Sequence, residues 1–508
     1  MLSTIKPFFN KTNGLSFIAG LLLVFAYAPF GHWWLTLVIL PLFFLLIDGK
    51  SVTKATQASF CFGLGWFTTG ISWVHVSIDQ FGGMPLIASL LLMFLLCLYL
   101  AIYPMLAGYL ASKLAKNKTL HLGLFVSTWL LCEYLRSVVL TGFPWLSLGY
   151  SQIDSPLSVL APIIGEIGIT AYLLTVSYVF IRLLKVEKKL LWALSLIILS
   201  SSIVIASSIK WVSPTGKTVK FALAQGNIEQ SIKWDDEQEW PTMLMYLDMA
   251  RDNYDSDIIV WPESAIPTLE PMAQDYLDLV NQSAGINDSA IITGILDYSF
   301  ESKSYYNALI TLGNSQSTSK TTGDYHYNHS NRFYKHHLLP IGEFVPFGDL
   351  LRPLAPFFNL PMSSFSRGDY VQQNLIAKGI HILPLICFEI AFPNQLAANL
   401  TPKTQVLLTV SNDAWFGTSH GPHQHMEIAR MRALEFGRPL VRSTNTGVTA
   451  AVDHNGQFTD QLPQFEKAVL KTDVALVKGD TPYSRFGNYP TFILALLGFI
   501  AISIWQRR

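Results

Sequence analysis

Charge is scarce in this 508-residue chain. Asp, Glu, Lys and Arg make up 14% of it, 35 acidic against 35 basic, so the formal net charge is zero. A chain without a basic excess has no electrostatic footprint for nucleic acid, and none is expected as a partner. Cysteine is as sparse. Cys61, Cys97 and Cys132 lie inside apolar runs, where a thiol behaves as a small hydrophobe, and Cys387 alone falls in a polar region. It therefore has no partner for a structural disulfide, and its thiol is left for chemistry. The N-terminus has lysines at positions 6 and 11 but no small-residue cleavage site after its first apolar run. That run reads as a transmembrane helix, not a cleavable signal.

What the chain has instead is apolar length: 50% of residues are hydrophobic, with a mean hydropathy of +0.34. Apolar runs at 14–30, 33–48, 57–77, 85–110, 120–140, 162–184 and 190–210 have the length a bilayer requires, and an eighth closes the chain at 491–505. The organisation expected is a seven-helix transmembrane domain over 1–211, a polar, turn-rich domain over 212–487, and an eighth span with a short tail over 488–508. Lys6/Lys11, Lys50/Lys54, Lys113/Lys116/Lys118, Arg182/Lys185/Lys188/Lys189 and Arg507/Arg508 occupy alternate loops, whereas 78–84 and 141–160 hold almost no Lys or Arg. By the positive-inside rule both termini are cytoplasmic and the 212–487 domain is extracytoplasmic. Glu133, Arg136 and Glu166 fall near the outer ends of two spans. Such residues are either functional or an ion pair that fixes helix packing.

Within 212–487, short apolar runs at 218–224, 257–260, 291–295, 306–312, 381–386 and 405–410 read as buried strands. Helical patterns at 238–252, 270–284, 392–400 and 421–436 lie between them. This alternation implies a layered α/β domain, in which sites form where loops leave strand ends. Glu263, Cys387 and the Asn412–Asp413 pair each follow such a strand, and Lys335 stands at the end of another candidate.

The segments WPES (261–264), FYKHHLLPIGEFVPFG (333–348), LICFE (385–389) and SNDAWFG (411–417) resemble the glutamate–lysine–cysteine nitrilase superfamily. Together with the eight spans, GFPWLSLGYSQ (142–152), QGNIEQSIKWD (225–235) and TPYSRFGNYP (481–490) make the whole chain similar to the apolipoprotein N-acyltransferases. The resemblance implies an αββα sandwich inserted in a polytopic helical membrane domain of the bacterial inner membrane, with the catalytic domain in the periplasm. It implies transfer of an acyl chain from a phospholipid, with phosphatidylethanolamine as the expected donor, to the α-amino group of a diacylated apolipoprotein. Neither cofactor nor metal is implied. Position by position, Cys387 corresponds to the nucleophile that carries a thioester, Glu263 to the general base and Lys335 to the oxyanion-stabilising cation. Glu343, Phe388 and Glu389 correspond to supporting positions, and Trp234, Asn412, Trp415 and Phe416 to the substrate pocket. Where the family often has tyrosine after the nucleophile, this chain has Phe388. Its backbone N–H remains as a donor, so activity is expected to survive.

The chemistry requires these residue types. A thiol needs a base or a nearby cation to become a nucleophile, and a developing oxyanion needs fixed donors. The stretch 344–362, rich in Phe, Leu and Pro, is expected to be a lid dipping into the lipid interface through Phe344, Phe347, Leu351, Phe357 and Phe358. The pairs His336/His337 and His423/His425 invite a metal reading, but adjacent or i,i+2 histidines point apart, and zinc needs three or four convergent ligands. A membrane-tethered amidase with the same triad is the alternative, though a soluble substrate leaves eight spans unexplained. A non-catalytic receptor is a third reading, disfavoured by the intact Glu, Lys and Cys.

Overall fold

The computed structural model describes residues 10–115, 121–185, 189–313, 325–340, 342–344 and 365–505. Two compact units emerge: Met1–His75, Pro85–Lys210 and Arg485–Arg508 form one, and Val76–Met84 with Trp211–Ser484 form the other.

The first unit is helical. Leu86–Leu114, Leu122–Thr141, Pro156–Lys185 and Lys189–Ser207 are long and apolar enough to cross a membrane, and Lys11–Ala26, Trp33–Ile47 and Tyr489–Ile504 are shorter apolar helices. Their outward residues are apolar: Ile87 is 83% exposed and Leu190 75%. Water would not tolerate so continuous an apolar exterior, but lipid would. The third apolar run forms a helix over Val52–Gly70, not over 57–77. It begins earlier because Ser51 offers an extended N-cap backbone, and it ends at Gly70, after which 76–84 joins the other unit. That helix touches Lys11–Leu23 backbone to backbone. A Cβ on Gly20 would lie 2.1 Å from the Phe62 carbonyl, so a larger residue would force the helices apart.

Glu133, Arg136 and Glu166 hold a largely buried segment over 142–155 in this unit, irregular but for one 3-10 turn at Tyr150–Gln152. Arg136 pairs with Glu133 and donates through Nη1 to the carbonyls of Phe143 (2.7 Å) and Trp145 (2.6 Å). Ser147 Oγ donates to Glu166 Oε2 at 2.9 Å, and the Gly149 N–H donates to Thr170 Oγ1 at 2.9 Å. Irregular backbone in an apolar bundle is tolerated only where such partners replace the missing helical bonds.

The second unit is built on two sheets. Its strands are β1 (Ser213–Gln225), β2 (Ile258–Val260), β3 (Ile266–Leu269), β4 (Ala290–Ser299), β5 (Ser304–Leu312), β6 (Arg332–Tyr334), β7 (Leu375–Ala377), β8 (Ile380–Ile386), β9 (Val406–Ser411), β10 (Leu440–Thr444), β11 (Ala450–Val452), β12 (Phe458–Gln461) and β13 (Ala468–Lys478). One sheet runs β13-β1-β2-β4-β5-β6 with β3 on β4, and the other runs β12-β11-β10-β9-β8-β7. Each has a parallel centre, β1-β2-β4 and β8-β9-β10, flanked by antiparallel strands.

Alternation in β1 shows how the layers arise. Phe221 and Leu223 point into a core shared with Ile382, Ile386, Leu408, Val410 and Val441 of the opposing sheet. Ala222 and Ala224 point the other way, into a core with Met243, Tyr246, Leu277 and Val280 of helices Asp236–Arg251 and Gln274–Ile286. Period-two side chains thus serve two cores from one strand. Parallel strands buried on both faces need continuous apolar runs, which is why these segments were legible in the sequence.

Candidate active site

The parallel centres of the two sheets deliver their C-terminal ends to one place, as open α/β sheets do. Glu263 leaves β2 through Trp261-Pro262 and is 8% exposed. Its Oε1 accepts from Asn307 Nδ2 (2.8 Å) and Lys335 Nζ (3.4 Å), and its Oε2 accepts from the Asn412 N–H (2.9 Å). β4 runs close beneath this turn. A Cβ on Gly294 would stand 2.4 Å from the Ser264 nitrogen and 2.8 Å from the Glu263 Cα, so only glycine lets Glu263 lie this close to the sheet.

Lys335 follows β6, anchored by its N–H donating to the Asn307 carbonyl at 2.8 Å. Its ammonium donates to Glu343 Oε1 at 2.8 Å, and Glu343 Oε2 accepts the Leu339 N–H at 2.8 Å. Burial works against the Lys335 charge, but the Glu343 and Glu263 carboxylates outweigh it and raise its pKa above the ordinary lysine value.

Cys387 follows β8 with φ +54°, the left-handed region that non-glycine residues seldom adopt. Such a conformation persists only where the surroundings impose it, and two anchors do so here. Glu389 accepts the N–H groups of Ile386 (2.8 Å), His336 (2.8 Å) and His337 (3.1 Å) and the Gln395 side-chain amide (2.7 Å), tying the cysteine turn to the Lys335 segment. The second anchor is His425, whose Nε2 donates to the Cys387 carbonyl at 3.0 Å. Burial keeps His425 neutral, and its Nδ1 accepts from Arg442 Nη2 at 2.9 Å. Arg442 in turn pairs with Asp413 at 2.7 Å, and the Ser411 hydroxyl donates to Asp413 at 2.6 Å.

The Cys387 thiol lies within electrostatic reach of both Glu263 and Lys335. Its packed surroundings push its pKa well above the ordinary thiol value, and Glu263 adds to this, while Lys335 and the Ser411 hydroxyl pull it down. The resting group is therefore a neutral thiol beside a carboxylate. It can become a nucleophile by handing its proton over as it attacks.

The other expected residues divide. Asn412 joins the site through its backbone, and its side chain donates to Gln230 Oε1 at 2.6 Å. Trp234 is half-buried, and Phe416 packs edge-on to His425 at 6.4 Å. Trp415 is 38% exposed and its carbonyl accepts from Ser77 Oγ at 2.7 Å. Phe388 turns away from the thiol into a ring cluster with Phe392 (5.1 Å) and His337 (5.8 Å). Phe344 lies under the Arg367 guanidinium at 5.3 Å, whereas Phe347, Leu351, Phe357 and Phe358 lie outside the described residues. Among the described residues, no group of three or more His, Cys, Asp or Glu side chains is arranged to hold a metal ion. Sequence reading overlooked Asn307, Lys233 and Arg442, marked Asp413 only as following a candidate strand, and weighed His425 only as a metal ligand. Asp413 and Lys233 lie inside the quoted motifs SNDAWFG and QGNIEQSIKWD, but Asn307 and Arg442 lie mid-strand with no local signal.

Comparison with known proteins agrees with this geometry. Residues 19–179 match the apolipoprotein N-acyltransferase N-terminal domain, and 220–480 match the carbon-nitrogen hydrolase family. A Shewanella oneidensis apolipoprotein N-acyltransferase is 49% identical over 98% of this chain and 99% of its own. The chain belongs to the apolipoprotein N-acyltransferase family. A member from Photobacterium profundum is 47% identical, over 99% of this chain and 97% of its own. A nitrilase-superfamily protein of Saccharomyces cerevisiae superposes on 53% of this chain and 92% of its own, with 14% identity and a TM-score of 0.37. The fold assignment rests on the family model and not on that superposition. As a member of the family the chain is an acyltransferase, and its apolar helices make it a membrane protein.

Proposed function

We propose that this enzyme moves a fatty acyl chain from a membrane phospholipid, phosphatidylethanolamine being the expected donor, to the α-amino group of a diacylated apolipoprotein. Cys387 attacks the donor ester as Glu263 takes the thiol proton. The tetrahedral oxyanion is met by Lys335, and lysophospholipid departs with the proton that Glu263 returns. The acyl group then rests on sulfur as a thioester until the lipoprotein amine, deprotonated by Glu263, displaces it. Glu343 holds Lys335 in place, and Trp234, Asn412, Trp415 and Phe416 border the pocket. The observation that carries this reading is the meeting of Glu263, Lys335 and Cys387 at the ends of strands from two different sheets.

The membrane setting follows from the acyl chain. Exposing a ~16-carbon chain to water would cost about 13 kcal/mol at roughly 0.8 kcal/mol per methylene. As a barrier that is about nine decades of rate. We therefore read the chain as an eight-span protein of the inner membrane, with cytoplasmic termini and a periplasmic catalytic domain over 212–487.

The test uses full-length protein in detergent micelles with phosphatidylethanolamine and a diacylated lipopeptide. Lysophospholipid should appear beyond one equivalent only when lipopeptide is present, and double-reciprocal plots should be parallel, as a covalent relay requires. Ammonia release from small amides, with no lysophospholipid, would instead identify a tethered amidase.

A further inference from the structure

One buried charge beside the site has no part in that chemistry. Lys233 follows β1 in the loop that also carries Trp234, and it is only 2% exposed. Its ammonium donates to the Glu263 main-chain carbonyl at 3.2 Å and stands 5.7 Å from the centroid of the Trp234 ring. One carbonyl and a ring face are poor replacement for the hydration of a three-donor cation. Burial draws its pKa down to about 8, and the Glu263 carboxylate works in the opposite direction. The side chain thus remains largely protonated at neutral pH.

The charges around it explain what such a cation could do. Glu263 faces Lys335 from the end of β6, Glu343 from the segment after it, the Cys387 thiol from the turn after β8, and the neutral amides of Asn307 and Asn412. Asp413 acts on the thiol from beneath and is matched by Arg442. Lys335 stands 2.8 Å from Glu343 but 3.4 Å from Glu263, so its charge is committed first to Glu343. Two carboxylates then share one ammonium, and a second cation is needed for balance.

We propose that Lys233 is a positioning residue for the base: its buried ammonium supplies that second cation and holds Glu263 in the carboxylate form that can accept the thiol proton. Lys233 keeps its own proton throughout, and the only transfer is from Cys387 Sγ to a Glu263 carboxylate oxygen. The inference rests on Glu263 being the base, as proposed above.

The test is the rate at which iodoacetamide alkylates Cys387 in the full-length protein as a function of pH, read by mass spectrometry of the Cys387 peptide so that Cys61, Cys97 and Cys132 do not contribute. Wild type should show an acid limb set by the base that accepts the thiol proton. Lys233→Met and Lys233→Gln should move that limb up by one to two pH units, making alkylation about ten- to a hundredfold slower at a pH on the original limb. Lys233→Arg, which keeps the charge, should leave the limb within a few tenths of a unit. A packing role alone would alter stability without moving the limb. If Glu263→Gln leaves the limb in place, the base assignment itself fails. If Glu263→Gln removes the limb but the neutral Lys233 variants do not shift it, the Lys233 inference alone is overturned. Should neither neutral variant fold, Lys233→Arg decides, because a displaced limb there contradicts a role carried by charge.

Discussion

Replacing Cys387 with alanine is expected to abolish acyl transfer, with a loss on the order of 10⁴-fold or more in single-turnover acylation of a lipopeptide. No neighbouring group can take over the sulfur's part. Asn412, Asn307 and Lys335 are donors at the site, and Glu263, although a carboxylate, is held by three hydrogen bonds. The variant should fold as wild type, because the turn is held by backbone and carboxylate contacts that do not involve the sulfur. Cys387→Ser is expected to fare nearly as badly. A hydroxyl is much harder to deprotonate than a thiol, and Glu263 is a weak base for it. Residual activity within tenfold of wild type in either variant would mean that the acyl group travels by another route.

The second large effect is on stability. Asp413 and Arg442 are both fully buried, 2.7 Å apart, and they support His425 and Ser411 beneath the nucleophile. Asp413→Ala would leave the fully buried guanidinium without its counter-charge, at a cost of about 3–5 kcal/mol. The loss should appear as a lowered unfolding midpoint and, in whatever remains folded, as a slower reaction at Cys387, since His425 would no longer be held to the cysteine carbonyl. The pH dependence has a definite sign. Burial opposes the Asp413 charge, but the Arg442 guanidinium and the Ser411 hydroxyl outweigh it and hold its carboxyl well below the usual carboxylate range. Its stabilisation is therefore complete above roughly pH 4, the unfolded value, and is lost as pH falls toward the folded one. The double variant Asp413→Ala with Arg442→Met should recover part of the lost stability, because it removes the stranded charge as well.

Much of the α/β unit could be read locally. The six expected strands coincide with β1, β2, β4, β5, β8 and β9, and the four helical patterns with Asp236–Arg251, Gln274–Ile286, Pro393–Asn399 and Gly421–Phe436. Buried parallel strands must be continuous apolar runs, so their pattern survives without tertiary context. β10 escaped because Arg442 interrupts it, and a charge inside a strand argues against burial until its partner, 29 residues away, is known. β13 alternates in burial and pairs with β1 across the whole domain, a relation no local window contains. The site shows the same limit. Motif resemblance selected Glu263, Lys335 and Cys387, but Lys335 meets Glu263 across 72 positions, and nothing in their spacing says so. Asn307 sits in a strand that reads as ordinary core, and its role at the site emerges only once Glu263 and Glu343 face it. The third apolar run was set too far along, since hydropathy could not reveal that 76–84 packs with the α/β unit.

All of these effects depend on a covalent intermediate at one sulfur. The most direct measurement is the intact mass of the peptide containing Cys387 after full-length enzyme is incubated with phospholipid and no lipopeptide. An added mass equal to one fatty acyl group, removed by neutral hydroxylamine and by lipopeptide, is the expected result. An unmodified Cys387 peptide in enzyme that has released a stoichiometric amount of lysophospholipid would contradict it.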